Sequence, residues 1–272
     1  MCALSGGHDS AALTALAVRR GLDVTAVHVH HGLRHDADDD ADAAERIASR
    51  LGAGFRCEHL DLTDGPNLEA RARDARRSVL GPDALTGHTA DDQAETLLLA
   101  LLRGSGATGL AAMRPGGTHP ILALRRSDTG AVCDALALPA VDDPSNRDPR
   151  FRRNRVRHEV LPLLDGVAER DVVPLLARSA DHLRDDDDLL TAMAGDLDPT
   201  DAAALTAAPR PVARRALRAW LTIDGYPPDS AALDRVLAVA AGEREACEIA
   251  GGRRVSRSRG RLSHFPSGPR TH

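Results

Sequence analysis

Apolar and polar positions follow two rhythms over the first half of the chain. Short apolar or β-branched runs at residues 24–30, 55–62, 84–88 and 121–124 predict strands. Between them lie stretches with apolar residues at helical spacing, over residues 9–20 (closed by Gly21), 36–51, 67–80 and 90–102, then from a Ser127 cap to residue 138. This alternation predicts an α/β domain with a doubly wound parallel sheet, whose ligands sit beyond the carboxyl ends of the strands. In the helix over 90–102, Ala94, Leu97, Leu98, Leu101 and Leu102 form one apolar stripe. That stripe groups Asp91, Asp92 and Glu95 along one edge near the first turn. Beyond Pro162 the rhythm turns helical, over 165–183, 185–194, 211–221 and 230–241. A boundary near residue 165 follows, with domains at 1–165 and 166–272. Residues 185–188, four aspartates, read as a solvated helix start or loop, and the end as a basic hairpin around Ser258-Arg259-Gly260.

Composition sharpens this picture. The 272 residues are 42% hydrophobic but only 2% aromatic, so the core is built of Ala, Leu and Val. All 35 basic residues are arginine, and the net charge of −5 excludes a generally basic nucleic-acid coat. RNA contact therefore requires local patches. One is present: residues 147–157 hold six arginines against one acid, Asp148. The four cysteines are scattered, which fits a reducing cytoplasm and disfavours zinc or an iron–sulfur cluster. No apolar run is long enough to span a membrane.

The chemistry begins at Ser5-Gly6-Gly7-His8-Asp9-Ser10, between a strand end and a helix start. Paired glycines let an oxyanion approach the backbone, and the helix start adds free N–H groups and the positive dipole end. Ser5 and Ser10 offer hydroxyls, and Asp9 a carboxylate for Mg²⁺. The turn lacks the Gly-Lys-Ser/Thr ending of a P-loop. It resembles instead the PP-loop, which grips the pyrophosphate of ATP in enzymes that split between the α and β phosphates. Only Met1–Leu4 precede it, where a buried strand takes about five residues, so the first strand is expected to be clipped. A signal peptide is not expected. His28, His30 and His31 close the second strand; with His28 and His30 on one face and His31 on the other, a nucleotide-pocket rim fits better than a metal site.

Further segments carry a family resemblance: His31-Gly32-Leu33-Arg34, Leu68-Glu69-Ala70-Arg71-Ala72-Arg73, His88-Thr89-Ala90-Asp91-Asp92-Gln93-Ala94-Glu95-Thr96, Leu102-Arg103-Gly104-Ser105-Gly106, Asp143-Pro144-Ser145-Asn146 and Arg153-Asn154-Arg155-Val156-Arg157. In that order, over more than half of the chain, they resemble the tRNA(Ile)-lysidine synthases. The resemblance implies a Rossmann-like PP-loop fold of the adenine nucleotide α-hydrolase type. It implies adenylation by ATP, with Mg²⁺, of C2 of the wobble cytidine in a CAU-anticodon tRNA(Ile), then displacement of AMP by free L-lysine. Ser5, Gly6, Gly7, His8, Asp9, Ser10 and His31 would bind the nucleotide, with Asp9 as metal ligand. Asp92, Gln93 and Glu95 would hold the lysine. Asp9, His88, Asp92 and Glu95 would be catalytic, with His88 as candidate base, and Arg71, Arg103, Arg153, Asn154, Arg155 and Arg157 would meet tRNA. A homodimer is compatible with the chain. Two positions depart from the family pattern: His119-Pro120-Ile121-Leu122 replaces Arg-Pro-Leu-Leu, and His30 replaces Asn. Two other readings are base thiolation, which the scattered cysteines disfavour, and a non-catalytic tRNA-binding relic.

Overall fold

The computed structural model describes residues 1–30, 37–60, 68–141, 144–223 and 225–266. Two compact units divide between Arg184 and Asp185. In the first, strands β1 (Cys2–Ala3), β2 (Thr25–His30) and β3 (Gly54–His59) form a parallel sheet in that spatial order. Cys2 pairs with Ala26 and Thr25 with Gly54. Helices α1 (His8–Arg19) and α2 (Ala37–Leu51) follow the first two strands, and α3 (Leu68–Leu80) follows β3. Leu4, Ala12, Ala26, Ala44 and Ile47 pack on one face of the sheet, together with Cys133. Ala3 and Val27 pack on the other face with Leu80 and Ala84. These clusters are built largely of Ala, Leu and Val, as the composition predicted.

The expected fourth and fifth strands are reduced. Residues 84–88 add a single parallel bridge, Cys2 to Leu85, on the free edge of β1. Ala3 N donates to Leu85 O at 2.8 Å and Leu85 N to Met1 O at 3.0 Å. With only Cys2–Ala3 as partner, the ladder has nothing further to pair with. Residues 121–124 form turns, with Ile121 and Leu122 buried. Pro120 has no N–H to give a ladder there, and the contact made is Thr86 N to Thr118 O at 2.8 Å.

The remaining helices of this unit are α4 (Ala90–Leu102), α5 (Ala107–Leu110) and α6 (Arg126–Ala135), then α7 (Arg152–Arg155) and α8 (Leu161–Ala168), joined by a π-helical turn at Val156–Val160. The stripe on α4 ends early: Ala94, Leu97 and Leu98 are buried, whereas Leu101 and Leu102 are exposed. Helix α6 is capped by Arg125, not Ser127. Arg125 N donates to Asp128 Oδ2 at 2.8 Å, a carboxylate in the first turn serving the cap.

Helix α9 (Val173–Gly195) runs unbroken through the four aspartates, where a start or loop was expected. Asp187 is nearly buried and takes Arg215 Nη2 at 2.6 Å. The second unit holds α10 (Ala202–Ala207), α11 (Arg210–Leu221) and α12 (Ser230–Ala241), with Asp201 and Asp229 accepting from first-turn N–H groups. The basic end is ordered as strands β5 (Arg253–Ser258) and β6 (Arg261–Pro266), turning at Arg259 and Gly260 with positive φ at both. A strand not anticipated, β4 (Ala246–Ile249), pairs with β5. Val255, Leu262, Leu217, Leu233 and Val236 share this unit's core.

Candidate active site

The glycine turn at residues 5–7 lies at the carboxyl end of β1, and α1 begins directly after it. Gly6 has φ +90°, a conformation that favours glycine, and a Cβ there would stand a tight 3.2 Å from Asp40 O. Ser10 ties the turn together. Its Oγ donates to Gly7 O at 2.9 Å and accepts from Ser5 N at 3.1 Å. With its one proton spent on Gly7, Ser10 shapes the loop rather than offering a hydroxyl to phosphate, while Ser5 is exposed. His31 lies outside the described residues.

A cavity of about 570 Å³ opens at this turn, lined by Ser5, Gly7, His8 and Asp9 and by Gly87, His88 and Asp92. Arg126 and Arg157 line it as well. The turn and the His88 segment are forced together by Gly87: a Cβ there would stand 2.7 Å from Asp9 C and O.

The acids of α4 meet arginines. Glu95 is fully buried; Arg126 Nη1 and Arg157 Nε donate to its Oε1, each at 2.8 Å, and Arg153 Nε donates to Oε2 at 2.6 Å. Asp92 Oδ2 accepts from both Thr89 N and Thr89 Oγ1 at 2.9 Å, while Oδ1 accepts from Arg126 Nη2 at 2.7 Å. Burial pushes both carboxyls up, but the guanidiniums outweigh it and hold both below the ordinary carboxylate range. Asp91 accepts two bonds from Arg125 at 3.0 Å. Arg126 also reaches Asp9, with Nε 3.6 Å from Oδ2, so three guanidiniums stand against Asp9, Asp92 and Glu95.

Asp9 behaves differently. Burial raises its pKa, against the opposing hydrogen bond from the Thr129 hydroxyl. His88 is pushed down to about 4, chiefly by burial against the pull of Asp92, and is neutral at physiological pH.

Several expectations change. Gln93 is buried, and both ends of its amide are bound to the backbone of Met113 at 2.9 Å, so it braces the fold and does not line the cavity. Glu95 is sealed behind three arginines and so is an anchor for them, not an open seat for an ammonium. Arg153 and Arg157, four residues apart across the π-helical turn, point inward onto it rather than outward to RNA. Asn154 is buried, with Nδ2 donating to Asp148 O at 2.9 Å. Arg155 stays exposed, paired with Glu159 at 3.0 Å, and Arg103 stays exposed where α4 ends. Arg71, on α3, is partly exposed. Sequence reasoning missed Arg126, Thr129 and Gly87. Arg126 sits beside a stretch read as a strand, and nothing in its spacing pointed to the acids 31 and 34 residues earlier.

The PP-loop domain family matches residues 1–164, and the TilS substrate binding domain family matches residues 201–263. The tRNA(Ile)-lysidine synthase of Nocardia farcinica is 45% identical over 239 residues, covering 82% of this chain and 75% of that protein. That of Mycolicibacterium paratuberculosis is 47% identical over 241 residues, covering 82% and 74%. Among solved structures, the U34-tRNA thiolase NcsA from Methanococcus maripaludis, with its [4Fe-4S] cluster, superposes with a TM-score of 0.53 at 19% identity, over 67% of this chain and 70% of that one, which shows a shared fold. Among the described residues no helix is long and apolar enough to cross a membrane. The order of motifs, the glycine turn facing the arginine-held acids, and relatives matched over most of their length place this chain in the tRNA(Ile)-lysidine synthase family.

Proposed function

We propose that this protein ligates lysine onto C2 of the wobble cytidine of a CAU-anticodon tRNA(Ile), using ATP and releasing AMP and diphosphate. One observation carries the reading. A single cavity is lined by the glycine turn and α1 start together with His88 and Asp92, and Arg126, which lines it too, reaches both Asp9 and Asp92. Phosphate and amine chemistry are thereby brought to one place.

The backbone N–H groups at residues 6–8 and the positive end of α1 receive the diphosphate of ATP. Asp9 suits Mg²⁺. Its ion pair with Arg126 is long, at 3.6 Å, and burial destabilises its unshared charge. Among the described residues no group of three or more His, Cys, Asp or Glu is placed to hold a metal, and Asp9 would hold Mg²⁺ as a single protein carboxylate. When bound, Mg²⁺ supplies charge neutralisation to the leaving diphosphate. Arg126 adds a fixed positive charge on the same side.

Asp92, which lines the cavity together with Asp9, orients the lysine amino group. Glu95 serves at one remove, by fixing Arg126, Arg153 and Arg157. His88, neutral and facing the same space, takes up a proton from the lysine nitrogen. Exposed Arg155 and Arg103, with Arg71 on α3, meet tRNA phosphates. The reaction belongs in the cytoplasm, where tRNA, ATP and lysine are at hand. Incubating the protein with ATP, radiolabelled lysine and the CAU-anticodon tRNA tests the proposal: label is expected in the tRNA and absent when ATP is withheld. A folded protein that incorporates none refutes it.

A further inference from the structure

Beside His88 lies a hydrogen-bonded group that the proposed chemistry has not used. Thr86 Oγ1 stands 2.8 Å from His88 Nδ1, 2.7 Å from His119 Nδ1 and 3.0 Å from Thr118 O. The two imidazole rings meet edge to face, with centroids 4.8 Å apart at 89°. A threonine hydroxyl has one proton to give and two lone pairs to receive. The Thr118 carbonyl can only accept. Only one arrangement turns all three contacts into hydrogen bonds: the hydroxyl proton lies on Thr118 O, and both Nδ1 atoms donate into Oγ1. Each neutral ring then carries its proton on Nδ1, which leaves Nε2 as its acceptor.

We propose that Thr86 and His119 are positioning residues that lock His88 in the Nδ1–H tautomer, so that His88 Nε2 receives the proton leaving the lysine nitrogen as its bond to C2 forms. This rests on the lysine-ligating function proposed above. Lysine enters this step as the free amine, its ammonium proton having passed to solvent. As the N–C2 bond forms, one N–H bond breaks and its proton forms an Nε2–H bond on His88, so the positive charge passes from nitrogen to an imidazolium whose Nδ1–H is already bonded to Thr86. The C2–O bond to AMP then breaks and AMP leaves with that electron pair. His119 occupies the second lone pair of Thr86, so the hydroxyl has no site left on which to accept a rotated ring. The charged groups acting on His88 are Asp92, which favours its protonation, and Arg153 and Arg76, which oppose it; His119 opposes it as well when its own ring is protonated. A weak base is suited to this proton, because the lysine nitrogen becomes strongly acidic once bonded to C2 and before AMP departs.

Two measurements on the full-length protein test the proposal. Long-range ¹H–¹⁵N correlation of the histidine rings, with signals assigned by His88→Gln and His119→Gln, is expected to show both as Nδ1–H tautomers. An Nε2–H tautomer at His88 overturns the proposal, whether or not lysine is ever transferred. In single-turnover reactions from preformed adenylated tRNA, Thr86→Val is expected to slow lysine transfer at saturating lysine by about tenfold more than it slows adenylation, with Thr86→Ser restoring most of the loss. Equal slowing of both steps, or no slowing of transfer, overturns it. A wild-type chain that forms no lysidine while showing the expected tautomers refutes the functional reading alone.

Discussion

Gly87 is pressed against the peptide of Asp9 so closely that a Cβ would lie 2.7 Å from Asp9 C and O and 2.8 Å from Ser10 N. The segment bearing His88 and the glycine turn with the start of α1 are thus held at close spacing by this backbone contact. Gly87→Ala is expected to push the two apart, costing about 1–3 kcal/mol of stability and weakening nucleotide binding further than stability explains. Thermal melting with and without ATP, combined with a fluorescent-nucleotide titration, checks both parts.

Glu95 gathers three guanidiniums in the interior, so removing its charge strands them. Glu95→Gln is expected to destabilise the first unit by about 3–5 kcal/mol, the usual cost of breaking a buried ion pair. The pH dependence has a definite sign. Asp92 and Glu95 titrate below their unfolded values, so their contribution is fully present above about pH 4.5. It is lost as pH falls through the folded pKa values. Acid unfolding followed by circular dichroism should therefore be less steep in Glu95→Gln than in the wild type.

Gln93 separates a structural role from a lysine-binding one. Both of its amide bonds go to Met113, and its removal takes away the acceptor of Met113 N, while Met113 O keeps its bond from Arg184 Nη2 at 2.7 Å. Gln93→Ala is expected to lower stability by about 1–3 kcal/mol while the KM for lysine moves less than twofold. Steady-state kinetics over a lysine series, below the melting transition, distinguishes the two roles. A large rise in KM returns Gln93 to the binding site.

The arginines of residues 147–157 divide by direction. Arg155 is exposed and its bond to Glu159 contributes little stability, so Arg155→Ala should weaken tRNA binding and reduce the salt slope by about one. Arg153→Ala should instead lower stability, because its partner is buried Glu95. Filter binding across a salt series, run beside denaturant melts, resolves the pair.

The sequence made the parallel sheet legible where apolar runs were long enough to pair on both sides, as at 24–30. It failed at 121–124, where an equally apolar run follows Pro120 and folds as turns, because hydrophobicity reports burial without reporting whether N–H groups are available. The glycine turn was readable because its chemistry is local: Gly6 requires positive φ and α1 begins at once. The acids of α4 were readable as a cluster by helical spacing. Their partners were not, since Arg126, Arg153 and Arg157 arrive from 31 to 62 residues away in sequence. Charge pattern alone presented Arg153 and Arg157 as a surface patch, and although their spacing puts both on one helix face, composition did not say that the face turns inward to Glu95. The ordered basic hairpin at residues 253–266 was visible in its Arg-Gly turn.

Everything proposed for catalysis depends on ATP being cut between its α and β phosphates, with the α-phosphate passing to the tRNA. The direct measurement is to mix the protein with CAU-anticodon tRNA and ATP labelled at either the α or the γ phosphate, without lysine, and to follow label on the tRNA. The account predicts that α label joins the tRNA, that γ label leaves as diphosphate, and that added lysine releases the α label as AMP. Formation of ADP, or γ label on the tRNA, would contradict it.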